Sequence, residues 1–255
     1  MVAAGTQHVS DRLVELAGVQ PGSRVLDVAA GYGEPALTAA RKAGPDGHVV
    51  ATDISAEMIA FGRERAAAAG VANLEFIESP AADLDFPEGS FDAALSRWGI
   101  IFEPEAEATA ARIRSFLKPG SRMAIASWGP PPEVPMVALP MMAVLGHLQQ
   151  PPPPPGTPGP LARPTPEAIG AILEGGGFSS VEVEEMQVVM TWDSPEAFTT
   201  FTRDIVAPLV ALLAQHPDDV RDAAWNAVTE AAREGAADDG TVTLANKALL
   251  ASGSA

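Results

Sequence analysis

The strongest constraint on this chain is the segment VLDVAAGYGEPAL, residues 25–37. A short apolar run meets an acid, then two glycines one residue apart, then apolar positions at helical spacing. Such a pattern reads as a buried strand turning sharply into a helix. Gly31 and Gly33 take dihedrals closed to other residues and carry no side chain, so a ligand can approach the main chain and the turn reads as a cradle. Pro35 suits a first helical turn, where its missing N–H loses no helical partner.

GYGEPA also fits the G-x-G-x-x-A fingerprint of dinucleotide sites. Asp27, ahead of Gly31, separates the two cofactor classes. A dinucleotide sets its pyrophosphate on the N–H groups of this turn, and a carboxylate close by repels it. S-adenosylmethionine (SAM) presents an ammonium and a sulfonium, which the same carboxylate favours. The D-x-A-x-G-x-G pattern of Asp27, Ala29, Gly31 and Gly33 therefore resembles motif I of class I SAM-dependent methyltransferases. Three alternatives stay open at this point: a nicotinamide-dependent oxidoreductase, a SAM-binding accessory protein without transferase activity, and a purely structural turn.

Composition narrows the partners. With 33 acids against 16 bases, the net charge of −17 opposes nonspecific contact with nucleic acid or anionic membrane, so a small-molecule acceptor is expected. The chain has no cysteine, and its four histidines (His8, His48, His147, His216) lack ligand spacing, so no metal is expected. The start MVAAGTQHVSDR has no basic region followed by an apolar core, and the most apolar stretch, Met136 to Leu148, is short and interrupted by Pro140. Neither a signal peptide nor a membrane span is expected, which points to the cytoplasm. The oligomeric state is not legible.

Strands and helices alternate along the first half. A helix through Val9, Leu13, Leu16 and Ala17 stops at Pro21-Gly22, and His8 at its start faces either a pocket or solvent. Strands follow at Val25 to Val28, Val49 to Thr52, Leu74 to Ile77, Phe91 to Arg97 and Ser121 to Trp128, with a helix from Pro104 to Leu117 ended by Pro119-Gly120. Asp53, 22 residues past Gly31, ends the second strand, where an acid accepts bonds from both ribose hydroxyls of an adenosine. A helix-capping role for Asp53 is the other reading, although Ser55 already supplies that cap. Arg97, a cofactor-site candidate at a strand end, pairs with an acidic substrate group, with Asp27 or with Asp92. This alternation implies a doubly wound, Rossmann-like parallel sheet with ligands at the carboxyl ends of its strands.

From Gly129 the texture changes. Proline runs, Pro130 to Pro132 and Pro151 to Pro155, flank an apolar helix from Val137 to Leu148 and read as stiff spacers of a cap. A helix from Thr165, a strand from Phe178 to Met190, a helix opened by Ser194-Pro195 and kinked at Pro208, a helix opened by Pro217, and a strand from Thr241 to Ala251 that closes the sheet complete the reading. The domain division is a core over residues 1–128, a Pro-rich cap over 129–164, a core helix and strand over 165–193, a helical lid over 194–240 and a final core strand over 241–255.

Taken together, VLDVAAGYGEPAL, VVATDISAEMI, FPEGSFDAALSRWG and FLKPGSRMAIASW resemble the ubiquinone/menaquinone C-methyltransferase-like branch of class I methyltransferases. The resemblance implies a seven-stranded sheet with the last strand antiparallel. It sets Gly31 and Gly33 against the methionine part of SAM, Asp53 on the ribose, and Ile54 and Met58 beside the adenine, core packing being the other reading of those two. Two residues depart from the pattern. Pro80, followed by Ala81 and Ala82, stands where the family commonly has an acid for the adenine amino group, which leaves the N–H groups of Ala81 or Ala82, or Asp83, to meet the ring. Tyr32 replaces the small residue usual between the glycines. Tyr32, Trp98, Trp128, Met141, His147 and Trp192, with Met136 and Met142, are candidates for an apolar or aromatic acceptor pocket. His147 and His8 are the candidate bases.

Overall fold

In a computed structural model of the chain, residues 5–154 and 157–255 are described; the end of the Pro151 to Pro155 run lies outside them. The elements in order are α1 (Gln7–Leu16), β1 (Arg24–Val28), α2 (Ala36–Ala43), β2 (His48–Asp53), α3 (Ala56–Ala68), β3 (Leu74–Glu78), β4 (Phe91–Arg97), α4 (Ala106–Phe116) and β5 (Leu117–Trp128). They continue with α5 (Pro135–His147), α6 (Pro166–Gly175), β6 (Ser179–Trp192), α7 (Pro195–Ile205), α8 (Ala207–Leu213), α9 (Asp218–Glu234) and β7 (Val242–Ser254). Among the described residues no helix is long and apolar enough to cross a membrane.

The strands form one seven-stranded sheet in the order β3-β2-β1-β4-β5-β7-β6. β1 to β5 run parallel, and β7 lies antiparallel between β5 and β6. The last strand therefore inserts rather than closes, and β6 forms the edge.

Side-chain alternation sorts the core into two layers. Val25, Val49, Leu95, Ala124 and Leu250 face α1, α2, α3, α5, α7 and α9. Leu26, Val50, Ala94, Ile125 and Leu249 face α4 and α6. Because both faces are covered, the central strands read as continuous apolar runs. Asp27 breaks that run and, with Arg97, takes the parity of Val25 and Leu95, which sets both on the α1–α2 face.

Several boundaries differ from the sequence reading. α1 ends at Leu16, and Gly18 turns the chain with φ +71° before Pro21 is reached. Pro35 is the residue before α2 rather than within its first turn. β5 begins at Leu117, because Leu117 pairs with Phe91 and Arg122 with Ala93, leaving the Pro119-Gly120 stretch as a bulge between two paired segments. α5 passes through Pro140, which is buried, so packing outweighs the hydrogen bond that proline removes. The expected kink at Pro208 is a break instead: α7 stops at Ile205 and α8 starts at Ala207, with Pro208 in its first turn, where proline costs no bond.

At the far end, Trp192 packs against Phe198 at 4.9 Å and Phe201 at 5.1 Å between ring centroids, joining α7 to β6. Phe198 is fully buried. Replacing Phe198 with alanine is expected to cost about 3–5 kcal/mol of stability, checked by urea unfolding.

Candidate functional site

Sheet order reverses direction between β1 and β4, and the carboxyl ends of strands at such a switch point leave a crevice. A cavity of about 600 Å³ opens there. The turn after β1 forms its floor. Ala29 and Gly31 hold φ of +56° and +54°, and the Ala30 N–H donates to the Thr52 carbonyl at 2.8 Å. A Cβ on Gly31 would meet nothing within 4 Å, so glycine here leaves space above the turn. Gly33 differs. Its φ is +96°, a Cβ would come within 3.3 Å of the Phe76 ring, and it does not line the cavity. Gly31 therefore meets the space a ligand would take, whereas Gly33 serves close packing against β3.

Asp53, ending β2, fastens this turn. Its carboxylate accepts from the Gly31 N–H at 2.8 Å and from the Ser55 N–H at 2.9 Å. Ser55 caps α3 through the Met58 N–H, so Asp53 is a clamp on the turn rather than a cap. Ile54 and Met58 line the cavity and are 70% and 41% exposed, too open for the core reading. Ser79, Pro80 and Ala81 line it from the end of β3. Ala82 and Asp83 are exposed and outside it.

Asp27 lies beneath the floor. It is fully buried, and neither carboxylate oxygen makes a well-formed hydrogen bond, the Ala36 N–H being the backbone donor turned toward it. Burial pushes its pKa well above the carboxylate range, and the nearby acids Glu34 and Asp53 push the same way. The Arg97 guanidinium and the Ala36 N–H oppose the shift.

Arg97 forms the opposite wall. It donates to Ser10 Oγ at 2.8 Å, to Thr6 Oγ1 at 3.2 Å and to the Tyr32 hydroxyl at 3.0 Å. No ion pair joins it to Asp27 or Asp92; Asp92 pairs with Lys118 at 2.5 Å, which lowers the Asp92 pKa against the effect of its partial burial. Two guanidinium groups approach the Tyr32 ring, Arg65 at 5.0 Å and Arg97 at 5.8 Å from its centroid. Trp98 stacks on Trp128 with centroids 4.2 Å apart and planes 9° from parallel, giving one side a flat aromatic wall.

Other sequence candidates are not brought to the cavity. His8 is exposed, and its Nε2 sits 3.1 Å from the Gln187 carbonyl oxygen on β6. His147 is exposed at the end of α5. Trp192 is enclosed by Phe198 and Phe201, Met141 packs into the core and Met142 points to solvent. Met136 does line the cavity. The sequence reading missed Gly99, where a Cβ would stand 2.5 Å from that of Ala29 and disturb the floor. It also missed Glu103, Phe201 and Asp204. Phe201 stands at helical spacing from Phe198 and Ile205, a pattern that does not tell a cavity wall from a core face; Glu103 sits in an irregular stretch that carries no periodic signal.

Residues 25–120 match the sequence model of a family described as a methyltransferase domain. The matched stretch runs from β1 into the start of β5 and carries the Gly31 turn, Asp53 and Arg97. A Pseudomonas putida protein named ubiquinone/menaquinone biosynthesis C-methyltransferase UbiE is 39% identical to it over 119 residues, 46% of either chain. The chain thus spans about half the length of the curated relatives it matches. A putative methyltransferase from Bacillus halodurans shares the fold at 16% identity, with a TM-score of 0.61 over 96% of this chain and 97% of that one. Haemonchus contortus phosphoethanolamine N-methyltransferase 2, crystallised with SAM, is 21% identical with a TM-score of 0.58 over 97% of this chain and 52% of that one. The names of these relatives concern different acceptors, so the shared domain leaves the acceptor open.

SAM is the cofactor of such domains, and the residues present fit it. A buried carboxylate with no well-formed hydrogen bond lies beneath a turn whose Gly31 leaves room above the main chain, and Asp53, Ile54 and Met58 adjoin that turn. With its pKa raised, Asp27 stabilises the fold fully below the ordinary carboxylate pKa and loses that contribution as pH rises through the folded value. Asp27→Asn is therefore expected to raise the melting temperature of the ligand-free protein at pH 8 by roughly 2–8 °C, on the order of 1–2 kcal/mol. The advantage should shrink toward pH 4, as a melting series over pH would record.

Proposed function

We propose that the chain binds SAM in this cavity and transfers its methyl group to a small, apolar or aromatic acceptor. The observation that carries the reading is the buried carboxylate of Asp27 beneath the turn, with no well-formed hydrogen bond. A cationic ligand answers that charge, whereas the pyrophosphate of a nicotinamide cofactor aggravates it. The family match favours the same choice.

When bound, SAM supplies an electrophilic methyl on a sulfonium. The chain's own residues have three tasks. Asp27 favours the ammonium end across the turn, and Asp53 keeps the turn closed while offering its remaining lone pairs to the ribose. Ile54 and Met58 cover the adenine face. On the other side the Trp98–Trp128 pair, Met136, Phe201 and Ile205 supply an apolar wall for the acceptor. In-line displacement disperses charge, so orientation and exclusion of water account for most of the rate, and no base is required of the histidines. We read residues 1–128, 165–193 and 241–255 as the core. Residues 129–164 and 194–240, which contribute Met136, Pro160, Phe201 and Asp204 to the lining, make the lid.

Titration calorimetry is expected to detect SAM and its demethylated product, S-adenosylhomocysteine, below millimolar concentration. Asp27→Asn should weaken both by at least about tenfold with the fold intact. No binding by the wild-type protein would remove the cofactor reading, and an unchanged dissociation constant in the variant would remove its electrostatic basis. Incubation with methyl-labelled SAM and a panel of phenols, quinols, amines and isoprenoids, read by mass spectrometry, identifies the acceptor; SAM binding without labelling would favour an accessory role.

A further inference from the structure

Four carboxylates line the cavity: Glu34, Asp53, Glu103 and Asp204. Two are held by neighbours. Glu34 accepts from Thr38 Oγ1 at 2.8 Å and lies 3.7 Å from Arg65 Nη2. Asp53 accepts the two backbone N–H groups already described. Asp204 belongs to α7, which packs on β6 and α9, at the opposite end of the sheet from β3.

Glu103 is placed differently. It follows the short turn Ile100–Phe102 after β4, beside the half-open ring of Phe102, and shares the cavity lining with Ile54, Met58 and Pro80. Among the described residues its carboxylate has no hydrogen bond or ion pair. The turn after β4 and the turn after β3 meet at this cavity, since Glu103 shares its lining with Ser79, Pro80 and Ala81; burial raises the Glu103 pKa, and the charge of Asp83 adds to that shift. Pro80 has no side-chain acceptor to offer there, and Asp83 lies outside the lining.

We propose that Glu103 reads the exocyclic amino group of the cofactor's adenine. The assignment rests on the SAM reading of the cavity and deepens it. An ionised carboxylate only accepts hydrogen bonds, so it suits a ring edge that presents an N–H donor and repels one that presents a carbonyl oxygen. With Ile54, Met58 and Phe102 supplying apolar surface for the ring faces, the edge is left to Glu103. The cavity is thereby specific for a 6-aminopurine over a 6-oxopurine, with the acid contributed by the β4 turn.

Calorimetry with S-adenosylhomocysteine and its deaminated analogue, S-inosylhomocysteine, tests this on the full chain. The wild-type protein should prefer the amino compound by at least about tenfold, the scale of one charge-assisted hydrogen bond. Glu103→Ala and the isosteric Glu103→Gln should both bring the preference below about threefold, since an amide can present either a donor or an acceptor. Asp83→Asn should keep the wild-type ratio. Circular dichroism of each variant checks folding, and Glu103→Gln alone decides if the alanine variant is unfolded. A preserved ratio in the Glu103 variants, a collapse in Asp83→Asn, or no wild-type preference overturns the assignment. Failure of the wild-type protein to bind S-adenosylhomocysteine overturns the cofactor reading and this assignment together.

Discussion

The site depends on one unfavourable interaction, the burial of Asp27 with no well-formed hydrogen bond to either oxygen. A charge enclosed without a partner costs free energy unless it neutralises or a compensating charge arrives. The structure supplies partial compensation from the Arg97 guanidinium and worsens the balance with Glu34 and Asp53. A position of this kind is poor for stability and well suited to a cation brought by a ligand. Such conflict between local physics and fold stability concentrates at functional sites.

Several elements converge on the same turn. Asp53 ties the Gly31 backbone to β2, while Ser96 Oγ donates to the Val28 carbonyl at 2.9 Å and accepts from the Ile100 N–H at 2.9 Å, locking the ends of β1 and β4 together. Arg97 carries the linkage outward to Thr6 and Ser10, so α1 is fastened over the site by the guanidinium that faces the buried acid. Tyr32 joins the arrangement because a longer side chain between the glycines reaches Arg97 and meets Arg65 as well.

Much of the sheet was legible because glycine and proline punctuate its strands and because both faces are covered, which yields continuous apolar runs. Placement at strand ends likewise made Asp53, Arg97 and Trp128 readable as candidates, and the structure sets all three in the cavity lining. Local signals failed where packing decided the outcome: α5 runs through Pro140, and the LKPG stretch bulges within a strand instead of ending a helix. Residue chemistry without direction misled at His8, His147 and Trp192, whose side chains turn to a carbonyl, to solvent and to the core. Glu103 was invisible for the converse reason: an acid in a turn shows no periodicity, and only the fold brings it into the same cavity lining as Pro80.

The central claim, that a cationic ligand answers the buried charge of Asp27, is tested most directly by proton release. Calorimetric titration of the wild-type protein with S-adenosylhomocysteine at pH 6, in buffers of different ionisation enthalpy, measures protons exchanged on binding. If Asp27 holds a proton in the empty site, binding releases a fraction of a proton, the fraction falls as pH rises above the carboxyl's pKa, and Asp27→Asn abolishes it. Binding with no proton release at any pH from 5 to 8, or release unchanged in the variant, would contradict the account.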